Sequence, residues 1–457
     1  MATTSGADGP DGPPLASRDA IGDVQAYGAP GTTVVERHET AITRITIVVV
    51  VGYLALGRGF AQLGVAPVGL FLGEVVVGAA LIYRPSRRAL LEFLNDLFRP
   101  GRLHLLAWAT ALFVASGLFA VVLGWSRDHP VLEIAKTFAL TYYVLFLPLG
   151  IWLSTVIPGL LYRLVRVLAW VNLVYGLAFV AFLDDRPVFL PFSSAALGGP
   201  QGSGAAIMGI LCFEDQPRRS WHLLAGNALV LLLQQKRAEW IGTGMALVVW
   251  TLWSRRYSLL STGAVVVVAV ITVTSILGIQ LDGASNRGGG SVSPNAVAAR
   301  LIAPLDADIA RQIAPDQPVD TFAGTARWRR QWWEGIWEQV HADQTTTLIG
   351  NGHGFDLSTL TPNRDADDSR TPHNIFFYVL GYTGWLGVIA YAAFIAMLLA
   401  LLNRAARITA NPFGLCFFAV CLGIGLFSNF FETPFGAIPF YVMSGMAIVP
   451  GALVRSR

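Results

Sequence analysis

From Ile42 to the last few residues, long apolar runs alternate with short polar breaks. About 20 apolar residues cross the hydrocarbon core of a bilayer as a helix. Open strands cannot cross, because lipid offers no partner for an unpaired backbone group. The pattern therefore predicts an all-α polytopic integral membrane protein. Composition agrees: 54% of the 457 residues are hydrophobic and 13% are charged, against about 25% charged in a soluble domain. A disordered chain and a soluble globular enzyme are both excluded by that balance.

Twelve transmembrane helices are expected, at 42–60, 66–83, 103–124, 134–155, 160–182, 198–213, 221–235, 240–254, 258–280, 374–402, 412–431 and 436–454. Only two basic side chains are lysines, Lys136 and Lys236, so the arginines set the orientation. Arg84, Arg87, Arg88, Arg99 and Arg102 share one side with Arg218, Arg219, Arg255, Arg256, Arg404, Arg407, Arg455 and Arg457. By the positive-inside rule that side is cytoplasmic.

The chain then divides into a disordered cytoplasmic tail at 1–40, helices one to nine within 41–280, a large extracytoplasmic loop at 281–373, and the last three helices with a short tail at 374–457. The tail lacks the apolar core of a signal peptide. The loop holds eight arginines, but loops longer than about 60 residues escape the charge rule. Cys212, Cys416 and Cys421 sit in apolar runs and read as packing residues. Nothing points to nucleic acid; membrane lipids are the implied surroundings.

Charges that break this pattern mark candidate sites. Lys236 and Arg237 lie in a short turn that should face outward, with Glu239 close by. The turn reads either as an anion site at a helix terminus or as a solvated, self-neutralised bend. In the loop, a helix is expected over 325–341, with Trp333, Ile336, Trp337 and Val340 as an apolar stripe suited to the membrane interface. Arg327, Arg330, Glu334 and Glu338 fall on its polar side, with Arg330 and Glu334 spaced for an i, i+4 pair. Arg329 projects on the apolar edge, either snorkelling to headgroups or aimed at a lipid-linked phosphate. His373 precedes Asn374 at the start of the tenth span, where the helix dipole favours a neutral imidazole and hence a usable base. Glu432 lies at the outer end of the eleventh span. Gly350-Asn351-Gly352-His353-Gly354 is a glycine turn of the kind that presents N–H groups to an anion, although no strand clearly precedes it.

Four passages together resemble the O-antigen ligase and polymerase family of bacterial polysaccharide assembly. They are Gly57 through Glu74, Gln235 through Trp240, Arg327 through Gly354, and His373-Asn374 followed by Gly381, Gly384 and Gly387. Lys236 departs from the small hydroxyl residue usual in the family, the stretch from Trp333 to the glycine turn is longer than usual, and three arginines compete for the loop position.

The resemblance implies a GT-C-type membrane glycosyltransferase of the cytoplasmic (inner) membrane, with its active site on the extracytoplasmic face and no metal or cofactor. Its donor would be a glycan on a polyprenyl diphosphate such as undecaprenyl diphosphate, and its acceptor a hydroxyl on a lipid or another glycan. On this reading Arg237 and Arg329 stabilise the diphosphate and His373 is the base, while Lys236, Arg327, Arg330, Trp333, Asn374 and Glu432 contact substrate. A polymerase of the same family is the alternative. A lipid-linked glycan flippase or transporter is the alternative from another class, and a non-catalytic export scaffold a third. A transporter calls for charges lining a mid-membrane path, whereas these charges gather at the outer face.

Overall fold

A computed structural model describes residues 32–61, 64–65, 70–98, 103–179, 201–214, 217–234, 236–258, 261, 281–282, 291–361 and 371–453. The principal helices before the loop are α1 (Thr32–Leu56), α2 (Leu72–Ile82), α3 (Arg84–Asn95), α4 (His104–Ser126), α5 (Val131–Thr137), α6 (Ala139–Val156), α7 (Leu160–Ala178), α8 (Gly202–Phe213), α9 (Trp221–Leu233) and α10 (Arg237–Ser254). The loop contributes α11 (Pro294–Ile302), α12 (Ala307–Ile313), α13 (Val319–Val340) and α14 (Gln344–Ile349). The chain then forms α15 (Ile375–Thr409), α16 (Phe413–Gly425) and α17 (Pro434–Leu453). Among the described residues strand structure is confined to two short antiparallel pairs, Gly64–Val65 with Leu70–Phe71 and Leu281–Asp282 with Ser291–Val292.

Among the described residues five helical stretches are long and apolar enough to cross a membrane: Glu39–Leu56, His104–Ser126, Ala139–Val156, Leu160–Ala178 and Ile375–Thr409. The structure modifies the expected spans in three places. The second is not one helix, because Gly64–Val65 pairs with Leu70–Phe71 before α2 begins. The eleven residues of α2 reach about 16 Å at 1.5 Å per residue, roughly half of a hydrocarbon core. Gly64, Pro67 and Gly69 are poor helix formers, which accounts for the late start. The fourth is interrupted, with α5 ending at Thr137 and a 3₁₀ turn at Tyr143–Leu145 inside α6. The helix α1 also starts at Thr32, inside the stretch read as tail. Residues 1–31 and nearly all of the expected ninth span lie outside the described residues.

Two packing features position the loop. First, α10 lies against α16 at small residues: a Cβ on Gly423 would come within 2.6 Å of the Gly242 Cα. Such close backbone approach is a common means of holding helices together in lipid. It sets the start of α10 beside the end of α16. Second, α15 breaks at Gly384, whose φ of 61° and ψ of −165° interrupt the helix. The break is met by the glycine turn after α14. The Gly381 and Tyr382 carbonyls accept from the Asn351 and Gly352 N–H groups, each at 3.0 Å. A Cβ on Gly350 would lie 2.5 Å from the Gly384 nitrogen, and one on Gly384 would lie 2.6 Å from the Gly350 nitrogen. The two glycine motifs therefore form one joint, each allowing the other's backbone to approach.

Candidate active site

The loop helix α13 is the spine of the site. Its buried residues are Val319, Phe322, Trp332, Ile336 and Val340. The expected stripe is therefore corrected at its indoles. Trp332 is fully buried and donates its Nε1 proton to the Leu357 carbonyl at 2.7 Å, whereas Trp337 is 43% exposed. The helix rotates inward on Trp332 because that buried N–H finds an acceptor there. Trp337 instead packs against His341, with centroids 4.2 Å apart and the rings tilted by 32°.

The start of α15 and the chain leaving α16 converge on the middle of α13. His373 takes a left-handed φ of 54°, which few non-glycine residues adopt. The next residue, Asn374, caps α15, its Oδ1 accepting from the Phe376 N–H at 2.9 Å and the Phe377 N–H at 3.4 Å. Its Nδ2 donates to the Leu426 carbonyl at 3.0 Å. Arg329 donates from Nη1 to the adjacent Phe427 carbonyl at 2.8 Å. Trp333 donates from Nε1 to the Pro372 carbonyl at 2.7 Å and stacks on Phe377 at 5.4 Å. The Trp328 ring lies 6.4 Å from the His373 imidazole. Arg329, Trp333, His373 and Asn374 thus belong to one neighbourhood, and Glu432 is linked to it through Thr371.

Its electrostatics are set by burial. Burial, reinforced by the Arg329 charge, pulls the His373 imidazole down to about 3. The imidazole is therefore neutral at neutral pH, and burial rather than the expected helix dipole is the leading cause. Burial pushes the Glu432 carboxyl up to about 8, against the Thr371 hydroxyl, which draws it down. This carboxyl is mostly protonated at neutral pH.

A second cluster occupies the N-terminal end of α13. Arg237, at the start of α10, donates from Nη1 to the Arg300 carbonyl at 3.3 Å. Both guanidinium groups face the Phe322 ring, Arg237 at 5.8 Å and Arg300 at 4.6 Å from its centroid. Burial lowers the pKa of Arg237. Burial and the charge of Arg237 bring Arg300 down to about 10. Lys236 is different, because it pairs with the buried Glu239 at 2.9 Å.

The remaining candidates lie elsewhere. Arg327 and Arg330 are exposed. Arg330 lines an open groove of about 240 Å³ with Trp333, Glu334, Trp337, Glu338 and Phe377. Arg330 and Glu334 form no ion pair among the described residues. Lys136, an intramembrane charge in the sequence, pairs with Glu133 at 2.7 Å. The glycine turn is not an anion cradle. Its N–H groups from Gly350 to Gly354 are all engaged, by Thr346, Gly381, Tyr382, Ala120 and the Thr137 hydroxyl.

Sequence reasoning missed Arg300. Its only signal is a lone arginine in a short amphipathic helix, and its burial depends on α10 and α13. It also missed Thr371, whose relevance comes from its contact with Glu432.

The fold and site together define a helical membrane protein with a cation-rich loop docked across the ends of its helices. Residues 222–392 match the family model described as O-antigen ligase, which supports the O-antigen ligase family for this protein. The match runs from α9 through the loop into α15, and so contains Arg237, Arg300, Arg329 and His373. No curated protein matches the chain.

Proposed function

We propose that the protein is a membrane glycosyltransferase of the ligase type. It moves a glycan from a polyprenyl diphosphate carrier to an acceptor hydroxyl at the extracytoplasmic face of the cytoplasmic membrane. The observation that carries this reading is the approach of Arg329, on the loop helix, to His373, one cation and one neutral imidazole, inside the matched region.

In the proposed reaction the acceptor oxygen attacks the anomeric carbon of the donor sugar. A carbon–oxygen bond forms there, and the bond from that carbon to the phosphate oxygen breaks. The diphosphate leaves with the bonding pair, and the hydroxyl proton passes to the His373 imidazole. Negative charge grows on the phosphate oxygens. Arg329 and Arg237 are the stabilising groups, since guanidinium is always charged and binds phosphate through two donors.

The depressed basicity of His373 fits a substrate-gated base. In the free protein burial and Arg329 disfavour the imidazolium. A diphosphate held on Arg329 offsets that cation and raises the proton affinity of the ring as the acceptor arrives. Asn374 and Trp333 act as positioning residues, because their hydrogen bonds fix the backbone on either side of His373. Glu432, neutral when buried, can donate a hydrogen bond to substrate. Arg327, Arg330 and Lys236 remain assigned to outer contacts with the glycan or headgroups, with Lys236 tied to Glu239.

Proteoliposomes carrying polyprenyl diphosphate-linked glycan and an acceptor test the reading. Wild type should release free polyprenyl diphosphate, with no effect of EDTA. Arg329→Ala and His373→Ala, checked for folding, should not. Release that survives both substitutions removes these residues from the chemistry.

A further inference from the structure

The short helix α3 lies at the end of the bundle away from the loop, and its neighbours fix that level. The helix α4 meets the loop near its C-terminal end, where the Ala120 carbonyl accepts from the His353 N–H at 2.9 Å. The first turn of α4 is therefore at the far end, and there His104 donates from Nδ1 to the Asp96 carbonyl, just past α3, at 2.7 Å. The helix α6 begins beside α15, where Tyr378 donates to the Thr137 carbonyl at 2.6 Å. One turn before the other end of α6, Trp152 meets Tyr83, which caps the start of α3, with rings 6.1 Å apart. Pro85 separates α3 from α2, because it has no N–H to continue the earlier helix. The buried Ser86 hydroxyl bonds the Ala80 and Tyr83 carbonyls and holds the bend. A helix tied at both ends to one end of the bundle runs along the membrane plane. Its 12 residues cover about 18 Å.

The surface of α3 has three parts. Ser86 and Phe93, seven residues apart, are its buried face. Arg84, Arg88, Glu92 and Asn95, at i, i+4, i+8 and i+11, form an exposed polar row. Arg87, Leu91, Leu94 and Phe98, at i, i+4, i+7 and i+11, form an exposed row that is apolar beyond its first member. Leu91 is 53% exposed, Leu94 51% and Phe98, in the turn that follows, 82%. Among the described residues no ion pair involves Arg84, Arg87 or Arg88. At the two ends of α3 stand the exposed Ile82 of α2 and Leu105 of α4, and α4 is long and apolar enough to cross a membrane. Side chains of a crossing helix face lipid, so the cover for the neighbouring apolar row is the bilayer itself. One row toward acyl chains and one toward water is the pattern of a helix lying in the interface.

We propose that α3 is an in-plane helix that binds acidic phospholipid headgroups at the membrane face opposite the loop. Arg84, Arg87 and Arg88 meet phosphate, which guanidinium holds through two donors. Leu91, Leu94 and Phe98 enter the acyl region, and Arg87 reaches up from that row to the headgroups. Three arginines against the single carboxylate of Glu92 leave the helix positive, so it selects an anionic headgroup over a zwitterionic one. Each cation at such a surface is worth about fivefold in binding.

The test uses purified full-length protein in mixed micelles holding equal phosphatidylglycerol and phosphatidylcholine. Retained lipid is counted by native mass spectrometry, and the thermal midpoint is read with each lipid alone. Wild type should retain phosphatidylglycerol at least tenfold over phosphatidylcholine, with a higher midpoint in it, and salt at about 0.5 M should weaken the preference. The triple variant Arg84→Gln, Arg87→Gln, Arg88→Gln should lose the preference and keep the wild-type midpoint in phosphatidylcholine. Leu91→Ser with Leu94→Ser should retain less of both lipids and keep the preference. Arg404→Gln with Arg407→Gln removes two exposed cations at the same end of the bundle, on the long helix α15, and should change little.

Equal retention of the two lipids by wild type overturns the proposal, as does a preference that survives the triple variant. An equal loss in the Arg404 and Arg407 variant replaces the α3 site with a general charge at that face. Displacement of the lipid by excess glycerol 3-phosphate marks a site for free phosphate instead. A midpoint of the triple variant that falls as far in phosphatidylcholine as in phosphatidylglycerol makes the arginines structural. No arm involves glycan transfer, so the proposed chemistry stands or falls separately.

Discussion

Two places offer donors suited to an anion, the glycine turn at 350–354 and the pair of Arg237 in α10 and Arg300 in α11, which meet at Phe322 near the start of α13. Their hydrogen bonds separate them. In the turn each N–H meets a carbonyl or hydroxyl of α4, α5, α14 or α15. At the arginine pair, donors of a buried guanidinium lack acceptors. A closed set of backbone hydrogen bonds marks the turn as architecture, although the ring nitrogens of His353 within it are buried without partners, as are the Nε and Nη2 of Arg300. The turn locks the loop to the helices, and the locked loop carries its cations to the ends of α10 and α16.

The largest effect is expected where that lock is broken. Gly350→Val or Gly384→Val forces a side chain into a left-handed backbone, about 1–2 kcal/mol per residue, and into atoms 2.5–2.6 Å away. Both should sharply reduce the yield of monodisperse protein. Normal yield and an unchanged thermal midpoint would show the joint to be incidental. At the other region the fold should survive and function should not. Arg237→Ala should lower polyprenyl diphosphate release by about 10²–10³-fold, as removal of one charge-stabilising donor does, with the midpoint kept. Equal loss of midpoint and activity would make Arg237 a structural residue like the glycines.

The response to pH sharpens the same contrast. The folded Glu432 carboxyl titrates near 8 against an ordinary 4.5. The folded state therefore holds a proton that the unfolded state has lost, and stability falls as pH rises from about 4.5 to 8. Glu432→Gln should remove that decline. His353, in the turn, has the opposite sign: burial brings it down to about 3 from 6.5. Here the unfolded state binds the extra proton, so stability is lost as pH falls from 6.5 towards 3. His353→Phe should flatten that acid limb, and midpoints measured across pH 3–9 separate the two. The smallest effect belongs to Trp333→Phe, which loses the hydrogen bond to Pro372 but can keep the stack on Phe377. About 1 kcal/mol of stability and a few-fold of activity should go, and a loss as large as that of His373→Ala would move Trp333 from positioning to direct contact.

The helical membrane class was legible because lipid burial needs only long apolar runs, with no fine periodicity. Breaks within runs were harder, since the pairing of Gly64–Val65 with Leu70–Phe71 is a local event inside an apolar stretch. The phase of α13 departs from the expected stripe at Trp332, because the carbonyl that receives its N–H is on Leu357, beyond the helix. Motif spacing singled out the glycine turn, yet its partners at Ala120 and Tyr382 lie in distant helices, so its structural role appears only in the fold. Arg300 was invisible for the same reason: its company, Arg237 and Phe322, is assembled from three separate elements. His373 and Arg329 were legible as residue types out of keeping with their positions, whereas the burial that sets the basicity of His373 was not.

Bond transfer and lipid movement leave different products. They are separated most directly with a donor labelled separately in glycan and prenyl chain, incorporated with acceptor into vesicles containing the purified protein. In a transferase the glycan label moves to the acceptor in step with the appearance of unglycosylated polyprenyl diphosphate. Both labels crossing the bilayer together on an intact donor, with no new glycosidic bond, would contradict transfer.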